Sequence, residues 1–154
     1  MIKFSKMTKE EFGIYRAKLI KSYAATLANN MRRSLEAAMV MSEQQIEGLL
    51  KDGVDTKDHY VFNVVDNVSS EKVGILWVNI KPEEKRSFIF DIEIMSEHQG
   101  KGYGKATLKE LEVFMKEMGI KQIGLNVFAD NTMAKALYEK LGYAVTNMNM
   151  VKDL

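Results

Sequence analysis

The chain has 154 residues, 46% of them hydrophobic and 28% charged, with a formal net charge of +1 and no cysteine. That balance suits one globular domain with a real core, and it is unlike the basic excess of a nucleic-acid binder. The missing cysteines exclude a disulfide scaffold, a thiolate zinc site and a cysteine nucleophile, and they fit a reducing, cytoplasmic setting.

No run of about 18 apolar residues reads as a membrane span. The opening Met1-Ile2-Lys3-Phe4-Ser5-Lys6 lacks the apolar stretch of a signal peptide. The lone proline, Pro82, sits in a short polar cluster between two strand-like runs, so it marks a turn and not a linker. Residues 1–154 therefore read as a single domain.

In chain order, residues 2–6 predict a short strand. Residues 8–29 predict a helix: Thr8 is followed by Glu11 in a capping-box pattern, and Phe12, Tyr15, Leu19 and Tyr23 recur at helical spacing. A second helix is expected over 31–50, with a break near Ser42, where Ser42 and Gln45 repeat the capping spacing; Gly53 ends the region. The period then changes to two. Residues 60–65, 73–80 and 88–94 predict three strands in an antiparallel meander, with Asp66, Asn67, Ser69 and Ser70 in the first loop. After a glycine-rich loop, residues 104–118 predict a helix with Leu108, Leu111, Met115 and Met118 on one face and Gly119 as its left-handed stop. Ile123, Leu125 and Val127 mark a strand over 122–128. Asp130 or Asn131 caps a short helix ending at Leu141-Gly142, and 143–151 predict a final strand or hairpin. The strand–helix–strand unit over 88–128 should be parallel and right-handed. The fold class is α/β (α+β), a mixed sheet flanked by helices.

The loop Gln99-Gly100-Lys101-Gly102-Tyr103-Gly104 lies between a strand and a helix start. Alternate glycines let a ligand approach the backbone, and the first N–H groups of a helix lack internal acceptors and favour an anion. Such a junction is a phosphate or pyrophosphate site, with Lys101 and Lys105 adding positive charge. A Walker A loop is excluded, since Gly104-Lys105 is followed by Ala106 and position 99 is Gln. A dinucleotide fingerprint is excluded too, since Lys105 stands where its third glycine belongs.

Gln99-x-x-Gly102-x-Gly104 resembles the Gln/Arg-x-x-Gly-x-Gly/Ala motif of the GNAT superfamily of acetyl-CoA-dependent N-acetyltransferases. The segment Asn131-Thr132-Met133-Ala134-Lys135-Ala136-Leu137-Tyr138-Glu139-Lys140-Leu141-Gly142-Tyr143 is similar to the family's Asn-x-x-Ala-x-x-Leu-Tyr-x-x-x-Gly-Phe/Tyr helix. The two motifs stand in the family's order, and the resemblance covers residues 88–154. It implies the GNAT fold, with a mixed sheet of about six to seven strands and about four helices, splayed between the strands on either side of the glycine-loop helix. It implies that backbone amides of Gln99, Gly100, Lys101, Gly102, Tyr103, Gly104 and Lys105 hold the diphosphate of acetyl-CoA. Main-chain groups of Ile92, Glu93 and Ile94 then meet the pantetheine arm, with Asn131 near it. No metal is implied. Dimers are common in the family.

Acetyl transfer to an amine needs a base or relay, stabilisation of the carbonyl oxygen, and a proton for the departing thiolate. Tyr138 resembles the family tyrosine near the sulfur, and a phenol with a pKa of about 10 can donate there at neutral pH; a core tyrosine is the plainer alternative. Some relatives carry Glu on the strand after the glycine helix, where this chain has Asn126, which cannot take a proton. That leaves Glu93 and Asp91, which share one strand face and whose pKa values such an environment can raise, or solvated carboxylates with no such role. His59 is either a turn residue or an acceptor contact or base, His98 neighbours the phosphate loop, and Trp77 is core or pocket lining. The expected activity is direct transfer from acetyl-CoA to a primary amine of a small molecule or peptide. The alternatives are a non-catalytic acyl-CoA-binding module on the same fold and, less close to the motifs, a nucleotide-binding protein.

Overall fold

In the computed structural model, which describes residues 1–154, five strands form one sheet in the order β1-β2-β3-β4-β5. The elements run β1 (Ile2–Lys6), α1 (Lys9–Asn30), α2 (Leu35–Leu49), β2 (His59–Asp66), β3 (Lys72–Lys81), β4 (Arg86–Ile94), α3 (Tyr103–Glu117), β5 (Gln122–Leu125) and α4 (Thr132–Lys140). The first four strands are mutually antiparallel neighbours and β5 lies parallel to β4. The β2–β3–β4 meander and the β4–α3–β5 crossover are those expected from the alternation and the glycine loop. Two compact units make up the chain: Met1–Arg16 with Gly48–Asn126, and Ala17–Glu47 with Val127–Leu154.

The first unit holds the whole sheet and α3. Leu108, Leu111 and Met115, the apolar stripe of α3, are at most 1% exposed. Phe114 of that helix stands edge-on to Phe4, Tyr60 and Phe62, so α3 covers the face that carries Phe62 and its register partner Leu76. Burying each such leucine contributes about 1.5–3 kcal/mol. The start of α1 serves the other face. Its capping box closes in both directions, Thr8 N–H donating to Glu11 Oε2 at 2.9 Å and Glu11 N–H to Thr8 Oγ1 at 3.1 Å. Asn63 Nδ2 of β2 donates to the same Glu11 oxygen at 3.2 Å.

In the second unit, Ala24, Leu27 and Ala38 form a buried cluster with Tyr23, Ala28, Met39, Met41 and Phe128 packed against it. Asn29 Nδ2 donates to Asp130 Oδ2 at 2.9 Å, and Arg32 pairs with Asp153.

Three expectations are corrected. The second helix is unbroken, because Ser42 is fully buried and its hydroxyl donates to the Ile20 carbonyl at 2.7 Å; Ser34 caps instead, accepting from Ala37 N–H. β5 stops at Leu125, short of Phe128. Residues 143–154 form no strand, so the sheet has five strands and not six or seven. Alternation marks a segment that can pair, but a strand exists only where an edge supplies its hydrogen bonds, and residues 144–154 are exposed.

Gly74 of β3 shows how tightly β4 is held: a Cβ there would lie 2.4 Å from the Glu93 carbonyl oxygen and 3.0 Å from Ile94 Cδ1. Gly74→Ala should therefore destabilise the protein by about 1–3 kcal/mol in urea unfolding. An unchanged midpoint would contradict this close approach.

Candidate active site

At the end of β4 the chain makes a single helical turn, Ser96–His98, and enters the glycine loop. Gly100 and Gly102 have φ of +74° and +86°, a conformation that other residues adopt only under strain. A Cβ built on either would meet nothing within 4 Å, so the space above both is open. Gly102 is the N-cap of α3 and brings no side chain to it. The first bond of the helix is Ala106 N–H to Gly102 O at 3.0 Å, so the N–H groups of Tyr103, Gly104 and Lys105 have no intrahelical acceptor. Open backbone, uncapped amides, a helix dipole and the exposed Lys101 and Lys105 together fit a diphosphate.

β5 pairs with β4 only from Arg86↔Gln122 to Ile89↔Leu125, while β4 continues to Ile94. The two parallel strands thus start together, and the ladder ends halfway along β4. Past that point the β4 edge carries Ile92, Glu93 and Ile94, the residues whose main-chain groups the family resemblance assigns to the pantetheine arm.

The same strand is bulged. Trp77 pairs with Asp91 and Val78 with Ile89, leaving Phe90 as the extra residue. Simple alternation would put Ile89, Asp91 and Glu93 on one face. The bulge instead sends Ile89 into the core with Val78 and turns Asp91 and Glu93 to the face of Trp77 and Ile75. Asp91 is half-buried and Glu93 exposed. Tyr15 of α1 donates to Asp91 Oδ2 at 2.8 Å. Burial, and then the charge of Asp91, push the Tyr15 phenol well above its ordinary pKa, so it remains a donor.

Phe90 stacks on Trp77 with centroids 4.6 Å apart, and His59 lies 5.8 Å from Phe90. The Trp77 indole donates to His59 Nδ1 at 3.0 Å, which fixes that nitrogen as an acceptor. Trp77 itself is 2% exposed. His98 stands edge-on to Tyr103 at 5.8 Å. Two loop side chains turn back onto the protein: Gln99 Nε2 donates to the Ile94 carbonyl at 2.9 Å, and Tyr103 Oη donates to Asp66 Oδ2 at 2.9 Å. The N–H groups of Ser69 and Val68, followed by the Tyr103 hydroxyl, hold the Asp66 carboxyl down to about 2.

The remaining expected site residues belong to the second unit. Asn131 caps α4, accepting from Ala134 N–H at 3.3 Å. Tyr138 is half-buried on that helix, its ring 5.7 Å from that of Tyr143. Asn126 falls one residue past β5 and is exposed. Sequence reading missed Tyr15 as the partner of Asp91, Asp66 as the partner of Tyr103, and the bulge. The two hydrogen bonds join residues far apart in the chain and leave no local pattern; the bulge left only the phase of Asp91 against Ile89. No group of three or more His, Asp or Glu is placed to hold a metal ion.

Comparison with known proteins now defines the class. The model of the acetyltransferase (GNAT) family matches residues 27–143, and the chain belongs to this family. It is 33% identical over 150 residues to the uncharacterized N-acetyltransferase YdgE of Bacillus subtilis, covering 96% of this chain and 95% of the relative. It is 34% identical over 155 residues to the uncharacterized N-acetyltransferase YycN of the same organism, covering 99% of each. The crystal structure of YycN superposes with a TM-score of 0.94 over 100% of this chain and 99% of that one. The PaiA N-acetyltransferase of Thermoplasma acidophilum, crystallised with coenzyme A, shares the fold at a TM-score of 0.70 and 22% identity, covering 97% and 93%.

Burial depresses the pKa of His59 below its ordinary 6.5, against a smaller opposing effect of Asp58. A depressed histidine stabilises the fold above the unfolded-state pKa, and that contribution is lost as pH falls through the folded-state value. In His59→Asn the side-chain oxygen still accepts from Trp77 but does not titrate. Urea midpoints measured from pH 7.5 to 5 should therefore move against the wild type relative to this variant as pH falls. A difference independent of pH would contradict the assignment.

Proposed function

We propose that this GNAT-family enzyme transfers an acetyl group from acetyl-CoA directly to a primary amine of a small molecule or peptide, in a cytoplasmic setting. The observation that carries the reading is the junction of β4 and α3: two open, positive-φ glycines lead straight into uncapped helix amides. The match of the family model through segments of both units supports reading residues 1–154 as one working domain.

Backbone amides from Gln99 to Lys105 would hold the diphosphate, and main-chain groups of Ile92, Glu93 and Ile94 the pantetheine arm. Acetyl-CoA, when bound, supplies the activated acetyl group and a thiolate leaving group. The chain's own residues manage protons. Tyr138 Oη donates to the leaving sulfur. Asp91, oriented by Tyr15, or Glu93 on the same face takes the proton from the acceptor ammonium, directly or through water. Asn126 cannot do so. No cysteine is present to carry the acetyl group, which favours transfer with both substrates bound together.

A thiol-release assay with acetyl-CoA against a broad panel of amines tests this. Wild type should turn over at least one amine without a burst of acetyl-enzyme. Tyr138→Phe should lower kcat by roughly 100-fold or more while leaving the affinity for coenzyme A unchanged. Coenzyme A binding with no turnover on any amine, and no effect of the substitution, would instead indicate an acyl-CoA-binding module without catalysis.

A further inference from the structure

We infer that Tyr103 and Asp66 are positioning residues for the cofactor: the Tyr103 hydroxyl, held by the Asp66 carboxylate, fixes the glycine loop in the conformation that receives the diphosphate. This rests on the coenzyme A reading above and goes beyond it in assigning side-chain roles.

A Cβ on Gly100 or Gly102 would meet nothing within 4 Å, so no side chain from elsewhere packs on that side of the loop. Glycine has more backbone freedom to lose than any other residue, and a loop built on two of them is costly to order. The loop is instead held at its ends. At its start Gln99 Nε2 bonds the Ile94 carbonyl. At its finish Tyr103 Oη bonds Asp66 Oδ2.

Asp66 is itself a fixed point. Its Oδ1 accepts the N–H groups of Val68 and Ser69, both at 2.8 Å. The next residue, Asn67, ties the same turn to β1 through N–H to Met1 O at 3.0 Å and Nδ2 to Ile2 O at 3.1 Å. The Tyr103 side chain thus leans on the β2–β3 turn and on the His98 ring while its backbone stays at the mouth of the helix. Order imposed before binding appears as affinity for the ligand.

Calorimetric titration of coenzyme A into wild type, Tyr103→Phe, Asp66→Ser, Asp66→Asn and the double variant D66S/Y103F tests the inference, with melting temperatures recorded alongside. Tyr103→Phe and Asp66→Ser should each weaken coenzyme A about three- to tenfold. The double variant should be no weaker than either single one, because both remove the same hydrogen bond. Asp66→Asn, which can still bond both the turn and the phenol, should stay within about twofold of wild type. Equal affinity in all variants, or losses that add in the double variant, would overturn the positioning role alone. A wild type that does not bind coenzyme A would overturn the cofactor reading and this inference with it.

Discussion

The first N–H groups of an α-helix have no acceptor within it, and something else must satisfy them. In α3 the N-cap is a glycine, which offers no side chain. What approaches those amides must come from outside, and the helix dipole makes an anion the favoured visitor. The surrounding structure depends on this junction: the meander delivers β4 to it, the buried stripe of α3 anchors the helix behind it, and the two positive-φ glycines clear the space in front.

The β4 bulge settles which side chains of that strand face the core. Without the extra residue, Phe90, the carboxylates of Asp91 and Glu93 would share a face with the core residue Ile89, where an uncompensated charge is costly. With it, Ile89 packs in the core while Asp91 meets Tyr15 on the opposite face. One inserted residue thus lets the apolar Ile89 and the two carboxylates occupy opposite faces of the same strand. The shortness of β5 acts on the same stretch, since the parallel ladder stops at Ile89 where the bulge begins.

Local signals were legible in the sequence. The capping box at Thr8, the α4 cap expected at Asp130 or Asn131, the stop at Gly119 and the glycine turn into α3 rest on interactions within a few residues, and the structure has each, with Asn131 as the cap. Features set by distant partners were not. Ser42 has a capping spacing, yet its hydroxyl is used by a carbonyl of the preceding helix. Residues 143–151 alternate like a strand, but alternation does not provide an edge to pair with. Tyr15 and Asp66 looked like a helix-face residue and a loop residue because their side-chain hydrogen-bond partners lie 76 and 37 positions away. The bulge had one faint sign: a carboxylate at Asp91 in phase with the apolar Ile89.

The backbone amide spectrum of the protein, followed as coenzyme A is added, tests the central claim most directly. The account predicts that the amide resonances of residues 100–105 move downfield together at saturating ligand, as N–H groups do on meeting a phosphate. Saturable binding that leaves those amides in place while resonances elsewhere shift would contradict it.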